Sequence, residues 1–217
     1  MTLFTAIAAA AAFASPAQAA IVAGVTATAG SELFGDGTTT SRMVDGTGIV
    51  SGEGAGGLHA HGSIDDDWRV GSVANNPWVK FDLGATVDVG NMFVWNSLGS
   101  GLPDFAIREI DIYYATTDPG NNVNLSLAAF DATDWTPWGT VAEMAQIPGA
   151  ADYGPTTTTA LNVNARYIAF DIKKGWNTGD SPANSAIAEV QFDAIPEPGT
   201  MGLLALSGLA LLRRRRA

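Results

Sequence analysis

The stretch 78–95, WVKFDLGATVDVGNMFVW, opens with Val79, Phe81 and Leu83 alternating against Trp78, Lys80 and Asp82. A period of two marks a strand with one face on a core. Gly84 and Ala85 interrupt it. Residues 87–95 then carry β-branched and aromatic side chains with apolar residues on both faces, which predicts a second strand buried between layers. The alternation returns at 107–114, where Ile110, Ile112 and Tyr114 oppose Glu109, Asp111 and Tyr113, and at 166–172 with Ile168, Phe170 and Ile172. Near the end Ala188, Val190 and Phe192 share a face, which turns Glu189 away from the core. Residues 22–29 are short and β-prone, and the β-branched run 156–159 suits a strand. Gly35-Asp36-Gly37 and Asp118-Pro119-Gly120-Asn121 read as turns, and the glycine-dense 46–62 as loop. Short strands between Gly, Pro and Asn turns predict an all-β sandwich, with no repeat or heptad.

Both ends break this pattern. Residues 3–14 are apolar and Ala-rich, and Ala17-Gln18-Ala19 has the small-x-small spacing of a cleavage site, so 1–19 reads as a signal peptide cut after Ala19. Its lack of Lys or Arg departs from the usual form, while the shortness of the run and Pro16 oppose the competing reading, a buried helix. At the other end, Ile195-Pro196-Glu197-Pro198-Gly199 is a stiff break, 201–212 is apolar apart from glycines and Ser207, and four arginines, 213–216, follow. Clustered arginines stay cytoplasmic, so a body with a translocated N-terminus lies outside the inner membrane. As a helix, 199–212 would rise about 21 Å against ~30 Å of hydrocarbon, which makes it a marginal permanent anchor.

This tail of motif, apolar stretch and basic end closely resembles the PEP-CTERM sorting signal of Gram-negative bacteria, with Pro196, Glu197 and Pro198 at the motif. The resemblance covers 195–217. It implies removal by an exosortase after transient inner-membrane association, and delivery to the cell surface or an extracellular polysaccharide matrix. An unprocessed single-span anchor is the competing reading.

Length and charge narrow the partners. The chain has 217 residues, so 20–194 fits one domain. A domain of that size buries about 70 % of its unfolded surface and holds a core without staples. With no cysteine, there is no disulfide and no thiolate metal site. All but one of the 22 Asp and Glu, and all but four of the 11 Lys and Arg, fall in 20–195, a net charge of −14. Such a surface repels phosphate backbones, which disfavours nucleic acid, and suits hard cations such as calcium.

Asp45-Gly46, the run 78–84, Arg166-Tyr167-Ile168 and Ala188-Glu189-Val190 occur in the order seen in discoidin, or F5/8 type C, domains. Residues 110–117, IDIYYATT, stand where that family has its central strand and Thr-rich corner. The chain resembles the family over 23–193, which implies a galactose-binding-like jelly-roll sandwich. One departure is the interval 48–67 between the Asp-Gly turn and Trp68. The resemblance also implies a structural calcium ion near the chain ends, held by Asp45, Thr47 and Glu189. An ordinary Asp-Gly turn beside a solvated Glu is the alternative.

Ligands of this fold bind on loops at one end of the sandwich, and a sugar needs a flat aromatic ring with a few polar groups. Trp176 lies where sugar-binding relatives present their stacking ring; Asn96 and Asp104 bracket the polar loop NSLGSGLPD. Alternatives are a Trp folded back on the sheet edge and simple turn chemistry for the two polar residues. His59 and His61 with Asp65, Asp66 and Asp67 lack zinc or calcium-loop spacing and read as a solvated loop. There is no G-x-S-x-G, HExxH, Cys nucleophile or phosphate loop. The expectation is a non-catalytic module for polysaccharide or glycoconjugate, ahead of a structural matrix or adhesion protein and a secreted hydrolase.

Overall fold

The computed structural model describes residues 19–30, 39–60, 67–70, 77–97, 105–119, 130–147, 151–177 and 179–195. Residues 1–18, read as most of a signal peptide, and 196–217, with Pro196, Glu197 and Pro198, lie outside these residues, as do Asp104, His61, Asp65 and Asp66. Residues Ala19–Ile195 form one compact unit.

Ten strands are described: β1 Ala20–Ile21, β2 Thr26–Ala29, β3 Ile49–Ser51, β4 Leu58–His59, β5 Trp68–Arg69, β6 Trp78–Asn96, β7 Ile107–Ala115, β8 Thr136–Val141, β9 Thr157–Gly175 and β10 Ala186–Ala194. The two strands expected in 78–95 are one. β6 runs 19 residues, and β9, also 19 residues, joins 156–159 to 166–172. A strand that long spans about 60 Å, more than one layer of a small domain can use. Both strands therefore bend and serve two layers.

The first half of β6 pairs with β2 and with the second half of β9, which continues to β7 and β8. The second half of β6 pairs with β10 and with the first half of β9, and β10 carries β1 and β5. The corner falls at the register shift between Asp82 and Val87, where Gly84 takes φ +79 and its N–H donates to the Asp82 carboxylate at 2.8 Å. Gly84 is thus a hinge within a strand, where the sequence pattern suggested a break. Arg166 pins the same corner from β9, donating Nε and Nη2 to Asp82 at 3.0 and 3.1 Å. That hydrogen bonding outweighs burial and holds the Asp82 carboxyl below the usual carboxylate range.

The layers close on aromatic packing. Phe81 meets Phe170 edge-on at 4.9 Å and Phe192, from the opposite layer, at 5.4 Å. A bulge between Ile187 and Glu189 alters the expected face of β10. Ile187, Val190 and Phe192 enter the main core, whereas Ala188 joins a second cluster with Phe93, Trp95, Ile147 and Tyr153.

That second cluster lies under the glycine-dense stretch, which is not simple loop: β3 and β4 form a hairpin with a 3-10 turn, Gly54–Gly56, between them. The Gly54 N–H donates to Gln191 Oε1 at 2.8 Å, and a Cβ on Gly57 would stand 2.8 Å from the Trp95 ring. Glycine there lets backbone lie flat on the sheet. The interval before Trp68 thus includes a cover for the outer face of β6 and β10; Glu189, which the alternative reading left solvated, is buried.

Candidate ligand-binding edge and cation site

The ends of β5, β6 and β9 and the starts of β7 and β10 meet at one edge. Ala106 is its hub: it bridges to Ala186, and its carbonyl accepts the Trp176 N–H at 2.9 Å. Gly175 lets the following loop fold back, since a Cβ there would meet Ser185 Oγ at 2.5 Å and the Ser181 carbonyl at 2.6 Å. Trp176 follows directly and is half-buried. Its indole N–H donates to the Met144 carbonyl at 2.9 Å, and the Arg108 guanidinium lies 5.1 Å from its ring centroid. The ring therefore offers apolar surface and no spare hydrogen bond. Arg108 is held in turn by Asp180 at 2.6 Å. Beside this group, Arg69 stacks 4.2 Å above the centre of the Phe105 ring.

Asn96 does not join this surface. It is fully buried, its Oδ1 accepts the Ile107 N–H at 2.9 Å, and its Nδ2 donates to the Ile107 and Ala145 carbonyls at 2.7 and 3.1 Å. With its amide consumed, Asn96 joins the two strand ends instead of facing a ligand.

The Asp-Gly turn and the last strand do come together. The Asp45 carboxylate accepts the Thr47 N–H at 2.8 Å, and Gly46 and Gly48 take φ +73 and +87, which only glycine adopts without strain. Thr47 Oγ1 accepts a hydrogen bond from Arg42 at 3.2 Å. Glu189 is 1 % exposed; the Gln191 amide reaches its Oε1 at 3.5 Å, while Oε2 is buried with no partner. Burial, followed by repulsion from Asp45, pushes the Glu189 carboxyl up to about 8, against hydrogen bonding from Gln191 and the Gly46 N–H. A buried carboxylate oxygen with no partner, facing a second carboxylate and a turn rich in carbonyls, is the donor chemistry of a hard cation. Asp45, Thr47 and Glu189 fit such an ion. No described group of three or more His, Asp or Glu forms a metal cluster, so backbone oxygens would complete the set.

His59 and Asp67 are buried, contrary to the solvated loop expected for them. His59 Nδ1 donates to the Ala60 carbonyl at 2.8 Å, and its ring lies 5.6 Å from that of Tyr153. Asp67 accepts the Ser97 hydroxyl. The Tyr153 phenol donates to the Asn96 carbonyl at 2.9 Å, and burial, then the Asp67 charge, raises it far above its usual range. These groups brace the interior below the edge.

Sequence reasoning missed Arg69, Phe105 and Arg108. Each sits at a polar or turn position, and only sheet pairing gathers them.

Residues 194–216 match the family model described as the PEP-CTERM protein-sorting motif. The C-terminus carries a PEP-CTERM sorting motif, the mark of an exported protein. No curated protein matches the chain. Among solved structures, the CBM32-3 module of a family 31 glycoside hydrolase from Clostridium perfringens overlays with a TM-score of 0.54 at 16 % identity, covering 81 % of this chain and 94 % of that one. CBM32-1 and CBM32-2 of Clostridium perfringens ZmpB, in complex with GalNAc, give 0.53 at 13 % identity over 81 % of this chain and 36 % of that one. Chitosan-binding module 1 of a chitosanase/glucanase from Paenibacillus sp. IK-5 gives 0.50 at 17 % identity over 82 % and 100 %. The fold is that of CBM32 modules. Family 89 glycoside hydrolases from Clostridium perfringens also match, at TM-scores of 0.44 and 0.45, but the chain spans only 14–15 % of their length.

Proposed function

We propose that this protein is an exported, non-catalytic module that binds polysaccharide or glycoconjugate at the cell surface or in the extracellular matrix of a Gram-negative bacterium. The observation that carries the reading is the half-buried Trp176 at the loop edge of a fold shared with carbohydrate-binding modules. A pyranose has an apolar face that stacks on such a ring, and polar groups around the ring orient it. Its partner during export is an exosortase acting at Pro196-Glu197-Pro198, with transient inner-membrane association through the tail. Calcium, held by Asp45, Thr47 and Glu189, supplies positive charge to a buried carboxylate and ties the first turn to the last strand. Its part is structural.

The test is affinity electrophoresis against a panel of polysaccharides, with calcium and with chelator, for the protein and for Trp176→Ala. Retardation that Trp176→Ala removes while circular dichroism is unchanged supports the module. An intact fold with no retardation on any polymer refutes it and favours a structural role in the matrix.

A further inference from the structure

Between residues 20 and 195 seven cations face 21 carboxylates. Five of the seven are ion-paired: Lys80 with Asp118, Arg108 with Asp180, Arg166 with Asp82, Lys173 with Asp111 and Asp171, and Lys174 with Glu109. Arg42 donates to the Thr47 hydroxyl. Arg69 stands apart. No ion pair joins it to a described carboxylate, its Nε is buried without a hydrogen-bond partner, and its guanidinium rests on the Phe105 ring. In so acidic a body, an arginine with no ion pair to any described carboxylate is an anion receptor.

Its position gives it a use. Arg69 lies opposite Ala186, Ala186 bridges to Ala106, and Ala106 accepts the Trp176 N–H. Phe105 precedes that hub and Arg108 follows it by two residues, with an Nε that is also buried and unpartnered. One edge therefore carries two guanidinium–aromatic stacks, Arg69 on Phe105 and Arg108 on Trp176. A ring beneath a guanidinium holds its planar fork in place, and the fork matches the two oxygens of a carboxylate. Neutral sugar hydroxyls need no such cation.

We infer that this edge takes an acidic glycan, with Arg69 receiving the carboxylate of a uronate unit beside the sugar on Trp176. The inference rests on the carbohydrate-binding reading and names its ligand class. Long-range repulsion from the acidic body works against any anionic polymer, so binding must come from contact at the arginine.

Isothermal titration of the full chain with a short oligogalacturonate, its methyl ester and a neutral galactan fragment tests this. The acid binds about ten-fold more tightly than the methyl ester, the gain of one charge-assisted pair. Arg69→Met keeps an unbranched stem on Phe105 and removes that gain, so the variant binds acid and ester alike, while Arg69→Lys retains part of the preference. Equal affinity for acid and ester, or an Arg69→Met protein that still prefers the acid, overturns the inference while the carbohydrate reading stands. Binding to none of the three overturns both. Arg69-dependent binding to phosphatidylserine vesicles, without binding to the oligogalacturonate, overturns it in favour of a lipid headgroup.

Discussion

Glu189→Gln removes a buried carboxyl whose Oε2 lacks a partner and keeps its shape. The wild-type group ionises near 4.5 in an unfolded chain and near 8 in the fold. Between those values the unfolded state holds fewer protons than the native one, so stability falls as pH rises. At ~1.36 kcal/mol per pH unit the full interval sets a ceiling of about 5 kcal/mol, and relaxation around the ionised group brings the expected loss to about 2–3 kcal/mol. For a domain this size that lowers Tm by roughly 4–12 °C. Thermal unfolding in chelator from pH 4.5 to 8.5 reads it. The wild type loses stability through this window and Glu189→Gln does not, so the variant is the more stable protein at pH 8. Other titrating groups are common to both and cancel. Calcium, by favouring the ionised carboxylate, removes the wild-type loss and leaves the variant unchanged. A flat wild-type profile in chelator, or the same slope in Glu189→Gln, would refute the account of this site.

Asn96→Ala leaves the Ile107 N–H and two carbonyls unpaired in the interior and costs about 3 kcal/mol in urea unfolding, which a loss confined to ligand affinity would contradict. Phe81→Ala removes the ring between Phe170 and Phe192 and costs about 3–5 kcal/mol by the same assay. Gly57→Ala drives a methyl into the Trp95 ring, so both tryptophan fluorescence and stability change, the latter by about 1–3 kcal/mol. Below neutral pH the Asp82–Arg166 pair works opposite in sign to Glu189: a lowered carboxyl contributes stability that fades as acid protonates it, and Asp82→Asn shallows the acid limb of the profile.

Alternation carried most of the fold. Val79 with Phe81, Ile110 with Ile112, and Ile168 with Phe170 had their inward faces legible, because each strand buries one side against a single core. The bulge at Ala188 was not legible, since one extra residue reverses a face without changing composition. Asn96 looked like a loop ligand because an amide next to a polar run has the same letters in a turn as in a buried brace; its partners, Ile107 and Ala145, are distant in sequence. Glu189 and Asp45 were brought together by family likeness. That the Glu189 carboxylate is buried could not be read in one dimension.

The sequence by itself determined the all-β class, the acidic body and the sorting motif at the C-terminus, because these depend on neighbours a few residues apart. Only the tertiary structure decided that two 19-residue strands bend through both layers, that Arg69 forms no ion pair with a described carboxylate, and that Trp176 shares an edge with two guanidinium groups. Those outcomes hang on pairings such as Ala106 with Ala186, 80 positions apart along the chain, where no local preference reaches.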